Sequence, residues 1–206
     1  MIGIYGGTFD PIHFGHLRTA LEVKEVFALD EIRLIPCFIP PHRDSPSAPA
    51  SMRLRMLELA LEDREDMTVD TREIDRGGPS YMVETLMSLR AEIGDRPLLL
   101  FIGADAFAGL SGWYQWERLF EFAHVVVMTR PGFETEKVDP FLASRVIDNR
   151  QVLSKQAAGS LAFQPVTRLE ISATAIRQII ENHQDPGFLL PDSVIQYIRQ
   201  HKLYQR

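Results

Sequence analysis

A short apolar run, Met1-Ile2-Gly3-Ile4-Tyr5, passes directly into Gly6-Gly7-Thr8-Phe9-Asp10-Pro11-Ile12-His13-Phe14-Gly15-His16, and no other stretch limits the architecture so tightly. Glycines directly after a buried strand let the backbone turn sharply and approach a ligand with no side chain in the way. The pattern predicts a helix from His16 to Ala28, and a helix start presents unpaired N–H groups and a partial positive charge. Strand, glycine turn and helix in this order make a natural phosphate site. His13 and His16 flank Gly15 and suit negative charge that develops during a reaction. For a Gly-Gly turn alone, an ordinary connection with two solvated histidines is the competing reading. The full string argues against it.

Apolar runs and amphipathic segments alternate along the chain, which predicts βαβ units and a parallel sheet. The first helix carries Leu17, Ala20, Leu21, Phe27 and Ala28 on one face. Strands are expected at Ile2–Tyr5, Ile32–Phe38 (interrupted by Pro36), Met67–Ile74, Leu98–Ile102, Val125–Met128 and Leu161–Pro165. Residues 40 to 49 hold Pro40, Pro41, Pro46 and Pro49, so this is expected to be a mobile loop able to close on substrate. Ser51 is expected to cap a helix running to Leu61, and Ser80 another carrying Val83, Leu86, Met87 and Ile93. A helical stretch is expected over Tyr114–Phe122. Ser172 is expected to cap a helix with Ile176, Ile179 and Ile180 inward, and Asp192 to begin a final one with Val194, Ile195 and Ile198 inward. Residues 133 to 159 show no clear period. No linker or internal repeat divides the 206 residues, so one domain over 1–206 is expected.

Hydrophobic content of 45% and charge of 24% are those of a soluble globular protein. The lone Cys37 has no partner for an internal disulfide and fits a cytoplasmic location. No apolar stretch is long enough to span a bilayer, so no membrane association is expected. A net charge of −6 argues against a general nucleic-acid partner, while local cations still allow small anionic substrates.

The string from Gly6 to His16 resembles the Gly-x-Phe-x-Pro-x-His-x-Gly-His signature of the nucleotidyltransferase superfamily that includes cytidylyltransferases and adenylyltransferases. Ile171-Ser172-Ala173-Thr174-Ala175-Ile176-Arg177 is similar to that family's Ile-Ser-x-Thr-x-Ile-Arg motif. Pro40-Pro41-His42-Arg43, Ser80-Tyr81-Met82 and Trp113-Tyr114 resemble elements of the bacterial nicotinate-mononucleotide adenylyltransferases. The resemblance implies a Rossmann-like doubly wound parallel α/β sheet with a small helical C-terminal segment, binding nucleotides beyond the strands' carboxyl ends. It implies adenylyl transfer from ATP to nicotinate mononucleotide, giving deamido-NAD and pyrophosphate in NAD biosynthesis. Mg²⁺ carried by ATP is the implied cofactor, with no metal held by an all-protein cage. A homo-oligomer is compatible with the sequence.

Roles carry over residue by residue. His13, His16, Arg43 and Arg177 are the expected catalytic residues. Gly6, Gly7, Thr8, Phe9, Gly103, Asp105, Ser172 and Thr174 are expected on ATP. His42, Tyr81, Met82, Trp113 and Tyr114 are expected on the pyridine nucleotide. A guanidinium suits phosphate because it stays charged and donates in a planar fork. An indole face can stack on a flat pyridine ring. Met82 departs from the family, which has a threonine there whose hydroxyl can help hold the pyridine carboxylate. Nicotinamide mononucleotide therefore stays open as an acceptor, and phosphopantetheine is a second alternative, because its adenylyltransferases share the His-x-Gly-His and Ser-x-Thr motifs. Two further classes are a metal-dependent hydrolase using His13, His16, His42 and Asp105, and a non-catalytic nucleotide sensor.

Overall fold

A computed structural model of the chain describes residues 1–41, 45–129, 139–167 and 169–205. Six strands form one parallel sheet: β1 (Ile2–Gly7), β2 (Glu31–Pro36), β3 (Met67–Val69), β4 (Leu98–Gly103), β5 (His124–Thr129) and β6 (Leu161–Pro165). Their order is β3-β2-β1-β4-β5-β6, so strand order reverses between β1 and β4. Gly3 pairs with Ile32 on one side and with Leu99 on the other. In an open sheet of this kind, ligands bind beyond the carboxyl ends of the strands at the reversal. The carboxyl end of β1 is Gly6-Gly7, and that of β4 is Gly103.

The central strands are apolar on both faces, as parallel strands covered on both sides must be. Leu99, Phe101, Val126 and Met128 point into one core; Leu98, Leu100, Val125 and Val127 point into the other. The first core is closed by α1 (Phe14–Val26), α2 (Ala50–Ala60), α9 (Ala173–Glu181) and α10 (Asp192–Gln200), through Val23, Met56, Ile176 and Val194. On the opposite side, α4 (Met82–Ile93) and α6 (Leu119–Phe122) contribute Leu86 and Leu119. Short helices complete the chain: α3 (Arg72–Arg76), α5 (Ala104–Ala108), α7 (Pro140–Ala143) and α8 (Gln151–Lys155). The last two lie in the stretch that shows no period in sequence.

Several boundaries differ from expectation, each for a local reason. The first helix starts at Phe14 and ends at Val26, because the His13 carbonyl already accepts the N–H groups of His16 and Leu17. Ala28 is exposed with φ of 47°, and Val23 takes the core position instead. The second strand stops at Pro36, two residues short of Phe38. Pro49, not Ser51, precedes the next helix, and its carbonyl accepts from Met52 and Arg53. The strand expected over Met67–Ile74 stops at Val69, where the Asp70 carboxylate accepts the Arg72 N–H and turns the chain into α3. Gln115, left-handed at φ of 51°, delays helix formation so that only a 3₁₀ turn at Trp116–Arg118 and α6 form. Met87 is 49% exposed, and Leu89 fills the core in its place.

Candidate functional site

The loop from Gly7 to Gly15 is held in an unusual shape by its own buried side chains. Phe9 is left-handed at φ of 49° and only 1% exposed, a conformation a bulky residue adopts only when its surroundings hold it there. Its ring meets Tyr5 edge-on at 6.1 Å and His16 at 5.2 Å. Asp10, Pro11, Ile12 and His13 follow it into the interior. Gly7 permits this arrangement, because a Cβ there would fall 2.9 Å from the Phe9 ring.

His13 precedes α1 and is 5% exposed. Its ring stacks on that of His16 with centroids 3.8 Å apart. Two positive charges at that distance would repel by about 4 kcal/mol at an effective dielectric of about 20. Burial independently lowers the His13 pKa to about 4. His13 is therefore a neutral imidazole at neutral pH, a hydrogen-bonding group and a poor proton acceptor. Its buried Nδ1 has no hydrogen-bond partner among the described residues, a cost that a polar ligand group would relieve.

The second motif folds back onto this loop. Ser172 caps α9, its Oγ accepting from the Ala175 N–H at 3.1 Å, as expected. Ile176 and Ile180 are buried, and Ile179 is half-buried. Arg177 donates from Nη1 to the Asp10 carbonyl at 2.7 Å and from Nη2 to Thr174 Oγ1 at 3.4 Å. The first turns of α1 and α9 meet at Gly15: a Cβ there would lie 2.9 Å from His13 Nδ1 and 3.3 Å from the Ile171 carbonyl oxygen. Neither neighbour is a flexible chain end, so glycine is required. His13, Gly15, His16, Ser172, Thr174 and Arg177 thus form one cluster at the mouths of two helices, an arrangement whose backbone N–H groups suit a negative charge.

On the other flank of β1, a Cβ on Gly6 would sit 2.8 Å from Met82 Cε, so the Met82 thioether covers the glycine. Tyr81 packs against Tyr114 with ring centroids 4.6 Å apart. Trp113 is half-buried against the α4 side, and Tyr114 is 48% exposed. Tyr81, Met82, Trp113 and Tyr114 therefore gather at one place. Gly103 closes β4 and precedes α5, with Asp105 exposed in the first turn and no side-chain cap. Ser80 is not a helix cap. It is buried, and its Oγ accepts the Phe38 N–H at 2.8 Å. Expected site residues His42 and Arg43 lie outside the described residues.

Three buried polar groups that hold this site escape a motif-based reading. Arg53, 1% exposed on α2, donates to the carbonyls of Thr8 at 2.7 Å, Ala48 at 3.1 Å and Phe38 at 3.1 Å. It ties the glycine loop to both arms of the proline-rich segment. Asp10, 5% exposed, accepts the Ser47 N–H at 2.7 Å and the Ala48 N–H at 3.2 Å. Glu73, 2% exposed, accepts the Thr85 hydroxyl at 2.6 Å, and its pKa is raised, first by burial. Ser80 also hydrogen-bonds Glu73, so this carboxyl underpins the turn that carries Tyr81 and Met82.

A cytidylyltransferase-like family model matches residues 4–179. The chain belongs to the cytidylyltransferase-like family. The match runs from within β1 to beyond Arg177, so it spans both halves of the cluster. A probable nicotinate-nucleotide adenylyltransferase of Methylococcus capsulatus is 49% identical over 212 residues, covering all of both chains. One of Pseudomonas aeruginosa is 45% identical, covering 99% of this chain and 97% of its own. Among solved structures, the Plasmodium falciparum nicotinic acid mononucleotide adenylyltransferase complexed with NaAD superposes with a TM-score of 0.72. It is 17% identical over 98% of this chain and 96% of its own, a likeness of fold. The Rossmann-like doubly wound sheet expected from sequence is the fold observed. No helix among the described residues is long and apolar enough to cross a membrane.

Proposed function

We propose that the chain is a nicotinate-nucleotide adenylyltransferase, joining ATP and nicotinate mononucleotide to give deamido-NAD and pyrophosphate. The observation that carries this reading is the meeting of the Ser172–Arg177 turn with His13, Gly15 and His16 at the carboxyl end of β1, with the Tyr81–Tyr114 pair on the opposite flank. Full-length relatives at 45% and 49% identity carry the same activity in their names.

In the reaction, an oxygen of the mononucleotide's phosphate attacks the α-phosphorus of ATP, and the bond to pyrophosphate breaks. A phosphate monoester has a second pKa of about 6 and is mostly dianionic at neutral pH. The attacking oxygen then needs no base, and a neutral His13 whose pKa is about 4 fits the part of donor. Catalysis becomes positioning and charge stabilisation, which falls to His13, His16 and Arg177, with Arg43 as a further cation. Ser172 keeps its hydroxyl proton for a phosphate oxygen while its lone pair caps α9. Thr8, Phe9, Gly103, Asp105 and Thr174 would complete the ATP side. Trp113 and Tyr114 would face the pyridine ring, with His42, Tyr81 and Met82 beside it. Mg²⁺ would enter on the triphosphate, supplying charge neutralisation while keeping most of its waters.

Pyrophosphate release from MgATP, measured with nicotinate mononucleotide, nicotinamide mononucleotide and phosphopantetheine in turn, tests the proposal. A large kcat/KM preference for the first is the expected result. Preference for either of the others overturns the acceptor, and no release with any overturns the activity.

A further inference from the structure

Asp10 lies inside the glycine loop, yet three separate parts of the chain converge on it. Its carboxylate accepts from the Ser47 N–H and the Ala48 N–H, and Oδ1 also accepts the Tyr204 hydroxyl at 2.7 Å. The Arg177 guanidinium stands 3.9 Å from Oδ2, beyond hydrogen-bond length, because Nη1 is engaged with the Asp10 carbonyl. A buried carboxylate has room for about four hydrogen bonds and is costly to leave short of donors. With Tyr204 in place the carboxylate has three, and Arg177 divides its fork between the Asp10 carbonyl and the Thr174 hydroxyl. Without the phenol, the nearest cation among the described residues able to fill the gap is Arg177.

The turn after α10 is shaped to deliver that phenol. Lys202 and Tyr204 are both left-handed, with φ of 52° and 61°, conformations that disfavour side chains bearing a Cβ. The turn is closed by the Leu203 N–H on the Ile198 carbonyl at 3.0 Å, with Leu203 packed on the first core. Burial, and then the Asp10 charge, raise the Tyr204 pKa, so the phenol remains a donor.

We propose that Tyr204 is a positioning residue for adenylyl transfer: by satisfying the Asp10 carboxylate, it holds the Arg177–Asp10 ion pair at its long 3.9 Å spacing and keeps Arg177 from closing onto the carboxylate and away from the triphosphate. The inference rests on the function proposed above and extends it to a residue outside both motifs. Steady-state kinetics of Tyr204→Phe, which removes only the hydroxyl, provide the test. The expected result is a kcat about tenfold lower and a raised KM for ATP, with the KM for nicotinate mononucleotide within about twofold of wild type. Introduced into Arg177→Lys, the same change is expected to lower kcat by less than about twofold, since the residue it acts through is already altered. Equal losses in both backgrounds, or equal rises in both KM values, overturn the proposal. Tyr204→His, which keeps a ring donor, is expected to retain more activity than Tyr204→Phe; loss to the same level also overturns it. Absence of pyrophosphate release by the wild type removes the parent reading, and this inference with it.

Discussion

His13 and His16 stack face to face at 3.8 Å, with interplanar angle 28°, in a place where only one of them is deeply buried. Stacking and burial together keep His13 uncharged at neutral pH. That separates its two consequences, one for stability and one for turnover.

For stability, the folded-state pKa of His13 is about 4 against 6.5 in an unfolded chain. Between those values the unfolded chain binds a proton that the folded chain does not, so stability falls as pH falls through that window. The contribution is at most about 3.5 kcal/mol, taken at about 1.4 kcal/mol per pH unit. Buried His124, also lowered, adds a slope of the same sign. The His13→Asn variant should therefore lose part of the acid sensitivity, not all of it. Urea midpoints at pH 7 and pH 5 for both proteins check this; equal shifts would show that His13 is not the group responsible.

For turnover, His16→Ala and Arg177→Ala should each lower kcat by roughly 10² to 10³, the usual effect of removing one donor to developing charge. The KM for the mononucleotide should move much less, because the stabilisation grows in the transition state. Unchanged kcat in either variant would take that residue out of the catalytic set.

Trp113→Ala should behave in the opposite sense, mainly raising the KM for the pyridine nucleotide. A stacked aromatic contributes about 1 kcal/mol beyond its buried area, so a rise of several-fold to tenfold is expected. A rise confined to the KM for ATP would place the ring pocket on the other flank of β1.

Arg53→Met tests the buried scaffold. The thioether fills similar volume but leaves the carbonyls of Thr8, Phe38 and Ala48 without their donor. About 3 kcal/mol or more of stability should be lost. For a chain of this size that lowers Tm by roughly 6 to 12 °C, measurable by differential scanning calorimetry. An unchanged Tm would mean that the three loops hold their shape without it.

The alternation of apolar and amphipathic segments predicts the parallel sheet, and β6 is observed at the predicted Leu161–Pro165. Legibility fails where one residue's choice depends on distant groups. Ser80 reads as a cap from its neighbours, but its hydroxyl is taken by the Phe38 N–H across the sheet's end. Asp70 ends a strand expected to run on to Ile74. Arg53 sits in a helix whose pattern is ordinary, and only the fold shows its guanidinium reaching three carbonyls. Its one sequence signal is an arginine between Met52 and Leu54, facing where an apolar residue belongs. The two motifs were legible as motifs; that Arg177 would rest on the Asp10 carbonyl was not, because nothing local encodes a contact across the whole chain.

The union of Gly15 with Ile171, and of Asp10 with Arg177, has a thermodynamic consequence. The proposed phosphate pocket, with halves from β1–α1 and α9, cannot form in any partly folded state that leaves α9 undocked. Nucleotide must then bind the complete fold alone, and its binding free energy is linked in full to global unfolding. Saturating ATP should slow hydrogen exchange in α9 and the glycine loop together, as a single opening unit, although some 160 residues of chain separate them.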